Sequence, residues 1–154
     1  METATFRRTV DALAQRDGFS RVKSAWFRVG PETIIGLELQ RSGYGGRKYH
    51  LNVKVWIQGI DSRVYAVGEL SSRDSGHVFR REPPEFSAVF DLESSLDDAT
   101  REGKLEELFR VFVSPVADAL STCKGIWCSA HSDPALVLLW PAVREHLERV
   151  AVAV

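Results

Sequence analysis

Two stretches of this sequence bring together side chains capable of acid–base or recognition chemistry. Thr33 to Arg41 alternates Ile35, Leu37 and Leu39 with Gly36, Glu38 and Gln40, and Lys48 to Ile57 alternates Tyr49, Leu51, Val53, Val55 and Ile57 with His50, Asn52, Lys54 and Trp56. If the two pair as neighbouring strands, parity puts Glu38, Gln40, His50, Asn52, Lys54 and Trp56 on one face. A carboxylate beside an imidazole can shuttle a proton, amides can orient a substrate, and an exposed indole is a common anchor for a partner. The same pattern also describes an ordinary solvated face, which an antiparallel sheet covered by helices on one side routinely carries.

A second polar group, Arg73, His77, Arg80 and Arg81, falls in an irregular stretch. Guanidinium pairs suit carboxylate or phosphate partners, and salt bridges to the acidic C-terminal half are the competing explanation. The candidate binding residues are therefore Glu38, Gln40, His50, Asn52, Trp56, His77, Arg80 and Arg81. Cys123, Cys128, His131 and Asp133 invite a test as a zinc site, but structural zinc normally takes a close cysteine pair plus a distant second pair. Here all four fall in one short run, so two small, partly buried thiols around a tight Lys124-Gly125 turn are expected and no metal is. The sequence contains no phosphate-binding P-loop, no dinucleotide fingerprint, no zinc-protease H-E-x-x-H and no G-x-S-x-G nucleophile elbow. No catalytic residue and no cofactor are assigned.

Several elements must position these groups. Phe6, Val10, Leu13 and Ala14 form the stripe of an amphipathic helix from about Thr3 to Arg16, capped by Thr3 or Thr5 and ended at Gly18. Ala25 to Val29 reads as a short aromatic strand. The two alternating stretches form a β-hairpin around Ser42-Gly43-Tyr44-Gly45-Gly46, where glycines can take positive φ. Val64 to Val67 and His77 to Arg81 are candidate short strands, and Phe86 to Leu92 alternates like a further one. Ser94 or Ser95 can open a helix whose stripe runs from Leu105 to Leu120, kinked or restarted at Pro115 with Ser114 as cap. Asp133-Pro134 can open a last helix that Pro141 bends. Helix, then strands, then helices predicts an α+β fold: an antiparallel sheet of four to five strands with helices on one face.

The bulk numbers limit the options. A chain of 154 residues with 44% apolar and 27% charged residues fits one globular domain spanning 1–154. A net charge of −1 makes a dedicated nucleic-acid binder an unfavoured reading. Residues 1–58 nevertheless hold 10 Lys/Arg against 5 Asp/Glu, a surplus that the acidic remainder can neutralise internally or a partner can read. Two cysteines make no disulfide framework, no apolar run is long enough to span a membrane, and the charged N-terminus lacks a signal-peptide core. A cytoplasmic setting without membrane contact is the expectation.

Leu37-Glu38-Leu39-Gln40-Arg41-Ser42, followed after the glycine-rich turn by Tyr49-His50-Leu51-Asn52-Val53, resembles the bacterial domain-of-unknown-function 4304 family. Gly18-Phe19, Trp26-Phe27, Gln40-Arg41-Ser42 and Tyr49-x-x-Asn52 follow the order of that family's short motifs. Gly76 to Arg81 is similar to a further His/Trp/Arg segment, with Val78 or Phe79 where a tryptophan is usual. The resemblance covers most of the chain and implies a small bacterial cytoplasmic domain with no established activity. It directs attention to Gln40, Asn52 and Arg80 or Arg81.

Three readings remain at this point. The first is a non-catalytic module that docks a protein partner, an immunity-type inhibitor of a toxin being one form. The second is a hydrolase-like enzyme using His50 with Glu38, or His77 with Arg80 and Arg81. The third is a weak nucleic-acid contact through Arg41, Arg47, Lys48, Tyr44 and Tyr49 at the hairpin tip.

Overall fold

Helix α1 occupies Thr3–Arg16, and the stripe Phe6, Val10, Leu13 and Ala14 is buried as its spacing requires. Neither Thr3 nor Thr5 caps it. Glu2 stands at the N-cap without a side-chain bond, and the end is tied down instead by the Met1 ammonium, 2.9 Å from Asp98. Gly18 closes the other end at φ +85°. The computed structural model describes residues 1–134 and 139–151.

Five strands follow in sheet order: β1 Ser20–Val22, β2 Ala25–Val29, β3 Thr33–Arg41, β4 Tyr49–Ile57 and β5 Val78–Arg81, every neighbouring pair antiparallel. The hairpin expected from the alternation is present, with Thr33 opposite Ile57, Glu38 opposite Asn52 and Arg41 opposite Tyr49. Gly45 and Gly46 take the positive φ its turn needs. One sheet face, carrying Ile35, Leu37, Leu51, Val53, Val55 and Ile57, merges with Phe6 and Val10 of α1 and with Leu105, Phe109, Val113 and Leu120 in the main core. The helices supplying those last residues are α2 Asp98–Leu108, a π-turn at Phe109–Val113, and α3 Ser114–Ala119. Helices α4 Cys123–Ser132 and α5 Pro141–Ala151 complete the described chain. The fold is α+β, and among the described residues no helix is long and apolar enough to cross a membrane.

Local chemistry explains where the elements depart from the alternation. Phe86 to Leu92 is not a strand: Pro84–Phe90 forms 3-10 turns that bury Phe86, Val89 and Phe90 and leave Ala88 exposed. Pro83 and Pro84 remove two donors from any ladder. Val64 to Val67 is likewise irregular, running into 3-10 turn Val67–Glu69. The α2 cap is Asp97 rather than Ser94 or Ser95, its carboxylate accepting the Thr100 N–H at 2.8 Å. Pro115 restarts the helix after the π-turn as expected, but Ser114 is itself helical and gives its hydroxyl to Asp17. Lys124-Gly125 is no turn but the first turn of α4, capped by Thr122. A Cβ on Gly125 would lie 1.8 Å from the Ala119 carbonyl oxygen, so only glycine permits this close approach of α3 and α4. Helix α4 ends at Ser132 with Asp133 beyond it, and the helix expected to open at Pro134 runs into 135–138, outside the described residues. Pro141 begins α5 rather than bending it.

Arg101 holds the 84–96 segment in place. Its side chain is fully buried in the first turn of α2 and donates to the carbonyls of Ala88, Val89, Asp91 and Leu96 and to the Ser94 hydroxyl. No carboxylate lies within ion-pair distance of it among the described residues. Converging carbonyl dipoles therefore stabilise the charge, and the carbonyls in turn depend on the guanidinium. Arg101→Met would leave them unpaired in an apolar interior at about 1–3 kcal/mol each before relaxation. Urea unfolding should show a loss of about 3 kcal/mol or more, and a loss below about 1 kcal/mol would contradict this role.

Candidate functional site

The outer sheet face, away from the helices, divides into two unlike halves. Toward the Thr33–Ile57 end, the long connection between β4 and β5 folds over the sheet. Ala25, Phe27, Ile34, Trp56 and Leu70 pack there as a second apolar cluster, with Tyr65 and Val67 against it. Trp56 is on the outward face, as parity demands, but it is buried at 4% exposure and cannot serve as an exposed anchor. Gly36 explains its position: the indole lies across the glycine, only 2.8 Å from where a Cβ would stand. The four strand residues Ala25, Phe27, Ile34 and Trp56 form an apolar patch that Leu70, Tyr65 and Val67 of the connection cover.

The other half is polar and its members are held by one another. Asn52, 1% exposed, donates from Nδ2 to Glu38 Oε2 at 3.2 Å and to Gln40 Oε1 at 2.9 Å. Its Oδ1 accepts from Arg81 Nε at 3.1 Å, and Arg81 Nη2 also donates to Gln40 Oε1 at 3.0 Å. Lys54, buried beside them, pairs with Glu38 at 2.6 Å and donates to the Ser72 carbonyl. Glu38, Gln40 and Asn52 are neighbours as strand parity predicts, whereas Arg81, expected in a separate cluster with Arg73, His77 and Arg80, joins them. His50 pairs with a different acid from the expected Glu38: its Nδ1 lies 2.9 Å from Glu82, whose other oxygen accepts the Leu51 N–H. Glu82 follows a strand and precedes two prolines, so no alternation flags it. Its burial, with the side chain 3% exposed, comes from pairing with the end of β4.

Arg80 and His77 do not join this network. Successive strand residues face opposite ways, so Arg80, opposite Val53, points to the helix side and stacks over Phe112 at 5.1 Å. Burial there lowers its pKa, an effect the Asp133 carboxylate opposes. His77 precedes β5 and faces the covering connection: its Nδ1 accepts the Ile57 N–H at 2.9 Å, and Nε2 lies 3.2 Å from the Tyr65 hydroxyl. Accepting at Nδ1 requires a neutral ring protonated at Nε2, which donates to Tyr65.

At the hairpin tip Tyr44 is fully exposed, but Tyr49 points inward against Phe6, Arg41 binds the Gly46 carbonyl, and Arg47 approaches Glu2 at 4.0 Å. Of the tip's residues, only Tyr44 therefore offers a fully exposed ring. Cys123 is buried and Cys128 exposed on α4, and among the described residues no three His, Cys, Asp or Glu side chains converge on a metal position. Burial, reinforced by Glu32, pushes the Cys123 thiol up to about 11, so it is an unreactive core group. No family model, curated protein or solved structure matches the chain.

The surroundings of His77 set a pH dependence. Burial, the largest cause, lowers its pKa below the ordinary imidazole value of 6.5, with His146 and Arg63 adding to the effect and Asp61 opposing it. His146 on α5 is lowered too, by burial and Arg149 against Asp61. A histidine depressed in the folded state adds stability above its unfolded pKa and loses it as pH falls through the folded one. The urea midpoint should therefore fall as pH drops from 7 to 5, and His77→Gln should flatten that slope. An identical slope in the variant would contradict the assignment.

Proposed function

We propose that this chain is a non-catalytic protein-binding module that docks a partner through the polar half of its outer sheet face. The carrying observation is Arg81. Two neutral amides hold its guanidinium, no carboxylate lies within ion-pair distance among the described residues, and its Nη1 makes no bond among them. Phe79, the neighbouring residue on the same face, is 43% exposed, and the Arg81 guanidinium lies 5.9 Å from its ring. A pre-organised arginine beside an exposed aromatic is the composition of an interface anchor, because little side-chain entropy remains to be lost on binding. The spare donors suit a partner carboxylate. An immunity-type inhibitor, in which a small rigid surface occludes a partner's own site, is one form such a module takes. Two unpaired cysteines support a cytoplasmic setting, and the resemblance of its short motifs to those of the domain-of-unknown-function 4304 family supports a bacterial one.

One observation favours a second, hydrolase-like reading: Glu82 holds the His50 Nδ1, and Nε2, which makes no bond among the described residues, is left as a potential base. The first reading is preferred because the polar groups around His50 already satisfy one another on a sheet face.

Parallel affinity columns of wild type, Arg81→Glu and Phe79→Ser, loaded with lysate from the native host, test the proposal. Phe79→Ser leaves the Asn52 network intact and should keep the fold, while circular dichroism and urea unfolding must first show that Arg81→Glu, which removes the Asn52 donor, is still folded. Proteins retained by the wild type should be lost from both variants, corresponding to about 2 kcal/mol, or roughly 30-fold in affinity. Identical eluates from all three columns would contradict it.

A further inference from the structure

The connection between β4 and β5 also encloses a cleft of about 450 Å³ against the sheet. Its floor contains Trp56 and Leu70, and its rim carries four charged side chains, Arg63, Glu69, Arg73 and Asp74. None of the four makes an ion pair within 4.0 Å among the described residues, although charges of both signs face the same space. Neighbouring surface charges ordinarily swing together when their backbones allow it. Here they do not, and their charges are therefore left to a ligand or to solvent.

Three features fix the frame. Gln58 bonds both the N–H and the carbonyl of Tyr65, at 2.7 and 2.9 Å, so Tyr65 is held as firmly as by a strand partner. The Arg63 guanidinium stacks over the Tyr65 ring at 4.6 Å, which orients it as a plane with open edges. Gly76, at φ +69°, packs so closely on β4 that a Cβ would stand 2.8 Å from the Val55 carbonyl oxygen. Each acid spends one oxygen locally and keeps the other: Asp74 Oδ2 accepts the Ser71 N–H at 3.1 Å, and Glu69 Oε2 faces the Ala66 N–H at 3.4 Å.

The charge pattern selects the ligand. A simple anion would meet Glu69 and Asp74, and a simple cation would meet Arg63 and Arg73. A molecule with both groups satisfies both sets at once. We propose that this cleft binds a small dipolar molecule bearing a carboxylate and an ammonium group, a free α-amino acid being the simplest example. Its carboxylate is taken by the Arg63 and Arg73 guanidinium groups and its ammonium by the free oxygens of Glu69 and Asp74. The volume lies within the roughly 300–1,000 Å³ typical of small-molecule sites. This site is separate from the Arg81 face and stands or falls without it.

The probes are the standard L-amino acids, each compared with its N-acetyl and its carboxamide derivative, titrated into ¹⁵N-labelled full-length protein. At least one free amino acid should give saturable shifts confined to Trp56 and the amides of residues 63–77. Blocking either its ammonium or its carboxylate should weaken binding about tenfold or more. Arg73→Ala and Glu69→Gln, both at exposed positions, should each do the same to the unblocked probe. Failure of every amino acid to saturate, equal binding of the blocked derivatives, or unchanged binding in both variants would each overturn the proposal.

Discussion

The structure depends on the double burial of β4. It pairs with β3 on one side and β5 on the other, helices cover one face, and the β4–β5 connection covers part of the second, so eight of its nine residues are buried. A buried amide or ammonium without partners costs several kcal/mol, which makes Asn52 and Lys54 the most demanding residues of the outer face. Three neighbouring polar side chains answer that demand. Glu38 neutralises Lys54 and accepts from Asn52, Gln40 accepts from Asn52, and Arg81 donates to its remaining oxygen. The polar half is thus a satisfied network first, and its functional interest lies in what the network leaves over.

What remains is unevenly distributed. The two amides consume one Arg81 Nε–H and one Nη2–H and supply no negative charge, so a cation is left pointing outward in a fixed orientation. Glu38, by contrast, has its charge matched by Lys54 through Oε2, the same oxygen that accepts from Asn52. The same logic separates the two ends of the outer face. At the Trp56 end the strands offer apolar groups, and the chain covers them with its own connection; at the Asn52 end they offer groups that tolerate water, and no such cover is needed.

The elements written in a single regular period were legible. The α1 stripe repeats at helical spacing, and β3 and β4 alternate over most of their nine residues, so their extents and shared faces follow from parity and the turn. The polar set Glu38, Gln40, Asn52 was legible for the same reason. Trp56 was placed on the correct face but given the wrong environment, because alternation reports direction and not what covers a face. Arg80 was grouped with Arg81 by adjacency in sequence, although one residue of a strand reverses the side chain. Phe86 to Leu92 mimics a strand because its large residues fall at even spacing; two prolines and the buried Arg101 clamp impose tight turns instead. Glu82 carries no local signature, since only its approach to β4 across a long connection makes it buried.

The central claim is that Asn52 holds Arg81 in place rather than merely lying near it. The most direct measurement is the exchange of the Arg81 Nε–H with water by ¹⁵N NMR in the wild type and in Asn52→Ala. The account predicts a sharp, slowly exchanging Arg81 Nε–H that becomes as labile as that of exposed Arg8 once Asn52 is shortened. An Arg81 signal already as labile as Arg8 in the wild type, or one unaltered by the substitution, would contradict it.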